Sequence, residues 1–218
     1  MKVLYKGAEA IISEKKQTDA SGVYSIAVIK ERIKKSYRLP EIDEKLRKQR
    51  TKSEASLLRE AARAGVNVPR ILEENDFTLT LEKINGNMVK DMLNEKNMPE
   101  ICKKIGQSVA NLHSFDIIHG DLTTSNMILS SSDIYLLDFG LGFRSGKAED
   151  KATDLHVLRE ALESTHFEWT DASGVKTNLA EKAWKIILKA YKESYKSEKV
   201  IGSLKNLEKR GRYRDRSG

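Results

Sequence analysis

The sequence lacks the residues that several classes of protein require. A single cysteine, Cys102, occurs among 218 residues, which excludes an internal disulfide and any metal site built from several thiolates. No uninterrupted apolar run approaches the roughly 18 residues that a membrane helix needs. The first residues break at Lys6 and Gly7 before an apolar signal segment can form. We therefore expect a soluble, cytoplasmic protein that does not bind a membrane.

Acidic residues are outnumbered by basic ones, and the excess is unevenly placed. The chain has 39 Lys and Arg against 32 Asp and Glu, a net charge of +7. Residues 30–52 hold ten basic and four acidic residues, and residues 199–218 hold seven and two. Concentrated positive charge attracts phosphates, although most charged runs are solvated surface. We interpret residues 30–52 as a solvated face.

The basic C-terminal segment is the stronger candidate for contact with nucleic acid. Residues 209–216 of this segment are rich in arginine and have no apolar face, as is typical of segments that bind phosphate backbones. A disordered solubilising segment is the alternative. The candidate nucleic-acid residues of this predicted tail are Arg210, Arg212, Arg214 and Arg216.

Hydrophobic periodicity divides the chain into a strand-rich part and a helix-rich part. Strands are predicted at 3–5, 10–13, 23–30, 71–73 and 77–81, with a long helix over 40–64. Further helices are predicted at 88–94, 99–115, 150–163 and 179–195, with a short hairpin at 127–137. This order indicates an α+β fold of two lobes with a cleft between them. We divide it into lobes at 1–84 and 85–200 and a basic tail at 201–218.

The strongest chemical signal lies between residues 119 and 140. The loop His119-Gly120-Asp121 is followed by Asn126, and Asp138-Phe139-Gly140 follows the predicted hairpin. Because a hairpin returns its two ends to one place, Asp121 and Asp138 are expected to face the same space. One carboxylate can then orient or deprotonate an attacking hydroxyl, while Asn126 and Asp138 hold Mg²⁺. This spacing predicts phosphoryl transfer.

Residues upstream of this loop complete a candidate ATP site. Lys30 ends the third predicted strand, and Glu54 lies in the helix that follows. A lysine at such a place can bind the α and β phosphates of ATP, and a glutamate can hold its ammonium group. Residues 81–86 follow the fifth strand and can offer backbone groups to adenine, with Glu82 and Ile84 as candidates. The alternative is a strand that ends in an Asn-Gly turn.

These segments resemble a known family over essentially the whole chain. The sequence is similar to the protein kinases, and specifically to the small atypical serine/threonine kinase and ATPase of the KEOPS complex, of the Bud/PRPK type and RIO-like. The resemblance rests on residues 6–10, 29–32, 37–40, 50–55, 119–121 and 149–155 and on the basic terminus. It implies a protein-kinase-like bilobal fold with a small N-lobe β-sheet, one long helix and a reduced, mainly helical C-lobe.

The resemblance also implies roles for the site residues and for partners. The assigned residues are catalytic Asp121, phosphate-binding Lys30 with Glu54, magnesium-binding Asn126 and Asp138, nucleotide-covering Gly7 and Ala8, and His119 and Asp154 as supports of the catalytic loop. The family uses ATP and Mg²⁺, phosphorylates itself and supports the threonylcarbamoyl (t6A) modification of tRNA. The implied partners are the transferase subunit of KEOPS, a small regulatory subunit on the N-lobe, and tRNA bound through the basic tail.

Three departures from ordinary protein kinases limit the mechanism. The nucleotide loop has one glycine, Gly7, so we expect it to clamp phosphates loosely. Gly120 replaces the arginine that usually pairs with an activation-loop phosphate. Only fourteen positions separate Gly140 from Asp154, and none of the prolines, at 40, 69 and 99, can build an Ala-Pro-Glu segment. We therefore expect ATP hydrolysis or phosphorylation of a few local hydroxyls rather than general protein phosphorylation.

The sequence is also compatible with two other functions. A small-molecule phosphotransferase of the aminoglycoside or choline kinase type also has His-x-Asp followed five residues later by Asn, but it usually has a larger C-lobe than the 80 residues after Asp138. A tRNA- and protein-binding scaffold with residual ATPase activity would use the two basic segments.

Overall fold

The structure is a computed structural model that describes residues 2–7, 9–18, 24–165, 169–170, 176–195 and 198–214. It combines an N-terminal antiparallel sheet with a mainly helical C-terminal part, which confirms the α+β prediction. Ala8 and Arg216, two of the candidate site residues, lie outside the described residues.

The N-terminal sheet places Lys30 in an interior strand. Its strands are β1 (Lys2–Lys6), β2 (Ala10–Thr18), β3 (Tyr24–Arg32), β4 (Ile71–Glu74) and β5 (Thr78–Glu82). They pair in the order β1-β2-β3-β5-β4. Ile12 faces Lys30 from β2, and Leu79 faces it from β5. Because β3 is paired on both sides, the backbone at Lys30 is fixed.

A long helix, α1 (Pro40–Arg63), connects β3 to β4. Pro40 stands in its first turn, where the missing N–H needs no partner, and acidic Glu41 and Asp43 there suit the positive end of the helix dipole. The buried face of α1 carries Glu54 among Leu57, Leu58 and Ala61. The helix predicted over 40–64 is confirmed, and its buried face sets Glu54 against the sheet.

The C-terminal part is built on helices that enclose an apolar core. They are α2 (Val89–Met92), α3 (Met98–Ser114), α4 (Ala148–Thr165), α5 (Leu179–Ser194) and α6 (Glu198–Arg214). The predicted apolar face of α3 is buried in this core, at Ile101, Ile105, Val109 and Leu112. A Cβ on Gly106 would overlap the carbonyl oxygen of Ile187, so glycine lets α3 and α5 approach closely.

Short strands shape the loops between these helices. They are β6 (Asn87–Met88), β7 (Ile117–Ile118), β8 (Met127–Ser130), β9 (Asp133–Leu136), β10 (Phe143–Arg144), β11 (Trp169–Thr170) and β12 (Lys176–Thr177), with a 3-10 helix at Thr124–Asn126. The hairpin β8–β9 confirms the prediction at 127–137. The pairing of β7 with β10 was not predicted. It returns the chain after Asp138 to the start of the His119 loop.

Helix α6 was not predicted from the sequence. Residues 198–214 are helical, and this helix includes most of the basic tail expected at 201–218. Val200 and Leu204 are buried, and Arg159 of α4 pairs with Glu208 at 2.6 Å. The apolar residues Val200, Ile201, Leu204 and Leu207 follow a helical spacing, which was the signal available for this helix. No helix within the described ranges has the length and apolar composition needed to span a membrane.

Candidate active site

Lys30 joins the two halves of the candidate site. Its Nζ atom donates to Oε1 of Glu54 at 2.7 Å and to Oδ1 of Asp138 at 2.6 Å. Lys30 is 8% exposed and Glu54 is 1% exposed. The sequence predicted that these three residues share a site, and the structure brings them together. Strand β3, helix α1 and the loop after β9 each contribute one of them.

Arg32 is a buried member of this cluster that sequence reasoning missed. Its Nη2 atom lies 2.5 Å from Oε2 of Glu54, and Arg32 is 5% exposed. Lys30 and Arg32 are two positions apart on β3, so their side chains point to the same face of the sheet. The alternation of side chains along a strand was therefore the sequence signal that could have placed Arg32 beside Lys30. Glu54 thus has a different cation on each carboxylate oxygen.

The catalytic loop brings Asn126 against Asp121. Nδ2 of Asn126 donates to Oδ2 of Asp121 at 2.9 Å and to its carbonyl oxygen at 2.8 Å. The amide oxygen of Asn126 is then the atom available to bind a cation. The backbone of Asn126 also accepts from the N–H of Leu137 at 2.9 Å. This bond ties the Asp121 loop to the segment that carries Asp138.

Asp154 supports the loop from below, in the place that the resemblance assigned to it. It is 1% exposed on α4 and accepts from the backbone N–H of His119 at 2.6 Å and of Gly120 at 2.8 Å. Gly120 has φ +79°, and a Cβ on it would overlap the carbonyl oxygen of Leu141. The backbone therefore leaves no room for the arginine found here in ordinary kinases.

His119 is held as a neutral ring. Its Nε2 donates to the carbonyl oxygen of Leu137 at 2.9 Å, and its Nδ1 accepts from the N–H of Asp121 at 3.3 Å. Burial lowers the pKa of His119, and this effect exceeds the opposing influence of the nearby carboxylates, with Asp154 the largest of these. A neutral imidazole is the form that both hydrogen bonds require.

A second buried histidine braces Asp154. His113 accepts from the hydroxyl of Tyr191 at 2.9 Å through Nδ1, and its Nε2 donates to Oδ2 of Asp154 at 3.3 Å. Burial lowers the pKa of His113 despite the neighbouring Asp154. No local pattern indicates this role for His113, because Tyr191 lies 78 positions away in the sequence.

Asp138 has an unusual backbone and an ionised side chain. Its φ is +58°, a left-handed conformation that is uncommon outside glycine. Such strain is concentrated at functional sites. Burial by itself raises the pKa of Asp138, but the charge and hydrogen bond of Lys30 and the N–H of Gly140 together hold the pKa below its ordinary value. The side chain is half-exposed, so it remains open to a ligand.

A cleft of about 510 Å³ lies over these groups, within the range typical of small-molecule sites. Its polar floor includes Lys30, Glu54, Asn126 and Asp138. Its apolar walls include Val28, Leu58, Leu81, Met88, Ile128 and Leu137. A lining that combines these charged groups with apolar side chains suits a ligand that has phosphates and a flat base.

The predicted adenine segment lines the same cleft. Glu82 and Ile84 both contribute to its wall. The Glu82 carboxylate pairs with Arg70 at 2.6 Å, so a nucleotide would meet the backbone here rather than this charge. Lys83 pairs with Glu14 of β2 at 2.6 Å, which ties the segment to the sheet.

The predicted nucleotide loop is a tight turn between β1 and β2. The N–H of Gly7 donates to the carbonyl oxygen of Ala10 at 3.0 Å. From β1, Leu4 and Tyr5 reach the cleft wall, while Gly7 itself is not among the residues that line it.

The donor set fits Mg²⁺ bound together with phosphates. Mg²⁺ prefers oxygen ligands and commonly takes one or two carboxylates, with phosphates and waters completing the shell. Asp138 supplies an ionised carboxylate and Asn126 an amide oxygen in one cleft. Within the described residues, no group of three or more His, Cys, Asp or Glu could hold a metal by itself. The site therefore suits a cation that arrives with its own ligands.

Of the candidate arginines of the predicted tail, the structure describes the side chain of Arg210 only. Arg210 is exposed on α6. Arg212 and Arg214 belong to the last turn of α6, and their side chains are outside what the structure describes.

Comparisons with known sequences agree on one family. The sequence profile of the RIO domain matches residues 22–147. The KEOPS complex subunit Bud32 of Pyrococcus abyssi is 41% identical over all of this chain and 98% of its own length. A probable serine/threonine-protein kinase BUD32 homolog of Archaeoglobus fulgidus is 39% identical over 87% of this chain and 89% of its own.

Some relatives are longer and match this chain over only part of their own length. A probable bifunctional tRNA threonylcarbamoyladenosine biosynthesis protein of Methanobrevibacter smithii is 40% identical over 97% of this chain, which spans 36% of that protein. Among solved structures, the Rio2 kinase–ADP/Mg²⁺–phosphoaspartate complex of Chaetomium thermophilum matches with a TM-score of 0.60 at 13% identity. That match covers 98% of this chain and 72% of the other, and it shows a kinase-like fold.

Proposed function

Because this chain belongs to the Bud32 family of RIO-domain proteins, we propose that it is an ATP- and Mg²⁺-dependent atypical serine/threonine kinase with ATPase activity. We propose further that it acts in a KEOPS complex that supports the threonylcarbamoyladenosine modification of tRNA, as the names of its relatives suggest.

One observation carries the enzymatic part of this proposal. Lys30, paired with Glu54, meets Asp138 across the cleft at 2.6 Å. In phosphoryl transfer by kinases, a strand lysine held by a helix glutamate binds phosphate, and a carboxylate at the opposite wall holds the cation. The same three groups converge here from separate elements, above a cleft large enough for a nucleotide.

The proposed mechanism begins with a change of partner at Lys30. Its ammonium group leaves Oδ1 of Asp138 and binds the phosphates, while Glu54 keeps it in place. Asp138 and the amide oxygen of Asn126 would then hold Mg²⁺, and a bound Mg²⁺ would neutralise charge on the phosphates. Asp121, oriented by its hydrogen bond from Asn126, takes the proton of the attacking hydroxyl or water.

The acceptor is proposed to be water or a local hydroxyl of the protein itself. The segment after Asp138 runs directly through β10 into α4. Contacts that involve no phosphorylated residue hold it in place. Lys151 pairs with Asp116 at 2.6 Å, and the N–H of Ser145 donates to the carbonyl oxygen of Asp116 at 2.8 Å. A segment held in this way does not build the platform on which kinases usually bind peptides.

The partners belong to the proposal as well. They are the transferase subunit of KEOPS, a small regulatory subunit docked on the sheet of residues 1–84, and tRNA bound by Arg210, Arg212, Arg214 and Arg216. The proposed location is the cytoplasm. The single cysteine, Cys102, is a free, buried thiol, which is compatible with a reducing compartment.

The test is ATP turnover by the complete complex. The full chain is combined with its partner subunits and tRNA, and both released phosphate and label transferred to protein are followed. We expect turnover that rises on addition of the partners and depends on Mg²⁺. Asp138→Asn should lower it by at least about 100-fold, because a group that holds the metal is lost.

Asp133→Asn is the matched control, since Asp133 is an exposed carboxylate at the start of β9. It should leave turnover unchanged. A wild-type complex without ATP turnover, or an Asp138→Asn variant as fast as wild type, would contradict the proposed function. Consumption of ATP only on addition of a hydroxylated metabolite would indicate a small-molecule kinase instead.

A further inference from the structure

The interaction between Arg32 and Glu54 suggests a residue of the reaction machinery that the kinase pattern does not include. Both carboxylate oxygens of Glu54 are engaged, one by Lys30 at 2.7 Å and the other by Arg32 at 2.5 Å. The Glu54 side chain is 1% exposed. A buried carboxylate needs its charge compensated, so Glu54 depends on both cations for its position.

The two cations have different tasks during turnover. Lys30 is shared between Glu54 and Asp138, and the proposed mechanism requires it to exchange Asp138 for phosphate. Arg32 is bonded to the other carboxylate oxygen of Glu54 and has no part in that exchange. Its guanidinium cannot lose its proton in a protein. Glu54 therefore keeps a fixed charge partner while Lys30 changes partners.

Arg32 is itself anchored from behind. The backbone N–H of Arg32 donates to the carbonyl oxygen of Phe77 at 2.9 Å, and the backbone carbonyl oxygen of Arg32 accepts from Nη1 of Arg47 at 3.4 Å. Arg47 lies over the Phe77 ring at 4.0 Å and pairs with buried Asp43 at 2.7 Å. Backbone and neighbours together restrict the motion of Arg32, so it can serve as a rigid reference for Glu54.

Arg32 lies next to Gly140, which stands two positions after Asp138. A Cβ on Gly140 would lie 3.3 Å from Nζ of Lys30 and 3.4 Å from Nη2 of Arg32. Both cations therefore flank the Asp138–Gly140 turn. Lys30, Arg32, Glu54 and Asp138 are two cations and two carboxylates, so the removal of any one of them leaves the cluster with an unbalanced charge.

We propose that Arg32 is a positioning residue for phosphoryl transfer. It fixes Glu54 so that Glu54 keeps Lys30 aimed into the cleft after Lys30 releases Asp138. This inference rests on the proposed function, since it concerns the rate of the same reaction. A positioning role predicts a loss in kcat rather than a loss in ATP affinity, because the misaligned lysine still attracts phosphate.

The test compares Arg32→Met and Arg32→Lys in the full chain within the complex, using radiolabelled ATP to resolve low rates. Arg32→Met should lower kcat at least tenfold or so while KM for ATP changes less than about threefold. Arg32→Lys should lower kcat by only about threefold, because it keeps the charge but loses the planar fork. Arg59→Met is the matched control, since Arg59 is a half-exposed arginine paired with Glu74, and it should keep the wild-type kcat.

A double-variant cycle separates positioning from general stability. In the Glu54→Gln background, neither Arg32 variant should lower kcat further by more than about twofold, because Arg32 acts through Glu54. If Arg32→Met does not fold, Arg32→Lys decides the question by the same comparison. The inference would be overturned if the kcat losses of the single variants multiplied in the double variants. It would also be overturned if the single variant Arg32→Lys kept the wild-type kcat. An inactive wild-type complex would instead overturn the proposed function.

Discussion

Lys30 and Asp138 are 108 positions apart in the sequence, and their charged groups lie 2.6 Å apart across the cleft. This pair links the sheet to the loop after β9. Both residues belong to a cluster with Glu54 and Arg32 whose members are mostly buried. Substitutions in this cluster, or in the elements that support it, should therefore have measurable effects on stability and turnover.

Removal of Glu54 should cost more stability than removal of a surface carboxylate. Glu54→Ala leaves the ammonium of Lys30 and the guanidinium of Arg32 buried without their shared partner. Loss of one side of a buried ion pair costs about 3–5 kcal/mol, so the free energy of unfolding in urea should fall by that amount. The control is Glu60→Ala, whose partner Arg144 is largely exposed, and it should cost at most about 1 kcal/mol. Equal costs would contradict this account of the cluster.

Gly120 should not accept a side chain. Gly120→Ala should destabilise the protein more than Gly65→Ala, because both glycines have positive φ, +79° and +75°, but nothing lies within 4 Å of a Cβ on Gly65. Gly65→Ala should therefore report the backbone cost alone, about 1–2 kcal/mol. Thermal unfolding of the two variants measures the difference. If the two costs were equal, the overlap with Leu141 would not be what requires glycine in the catalytic loop.

Stability should fall as the pH drops below about 6.5, the ordinary pKa of histidine. Burial lowers the pKa of His113 and of His119 in the folded protein. Between about 6.5 and those lowered values, the unfolded chain binds more protons than the folded one, so the free energy of unfolding decreases as the pH falls. Urea unfolding at pH 7.5 and 5.5 measures the slope. His113→Gln should reduce the slope, and an unchanged slope would contradict the assignment of a buried neutral ring.

The end of α6 should contribute to RNA binding without contributing to ATP turnover. Deletion of residues 209–218 removes five basic residues and one acidic residue but keeps the pair of Glu208 with Arg159. Binding of tRNA should weaken, and its salt slope should fall by about one for each phosphate that is no longer neutralised. Lys45→Ala with Lys52→Ala is the control, as both lysines are exposed on α1. Unchanged affinity after the deletion, or an equal weakening in the control, would refute a specific role for this segment.

Hydrophobic patterns in the sequence predicted the helices and strands well where the apolar residues recurred at a regular spacing. The helix over 40–64, the apolar face of α3 and the hairpin β8–β9 follow from spacings of three to four or of two residues, which depend only on neighbouring positions. Helix α6 and the pairing of β7 with β10 were missed. In α6 the apolar residues at 200, 201, 204 and 207 have a helical spacing, but the basic residues among them favoured the interpretation as a tail. Strands β7 and β10 have two residues each, too few for a period.

The sequence by itself determined the fold class and the motif spacing from Asp121 to Asp138, since hydrophobic period and hairpin length are local properties of the chain. Only the tertiary structure decided which groups pair. Arg32 meets Glu54 across 22 positions, and His113 meets Tyr191 across 78. Those contacts depend on how α1 packs on the sheet and α5 on α3, and burial there turns ordinary surface charges into partners that cannot be separated without cost.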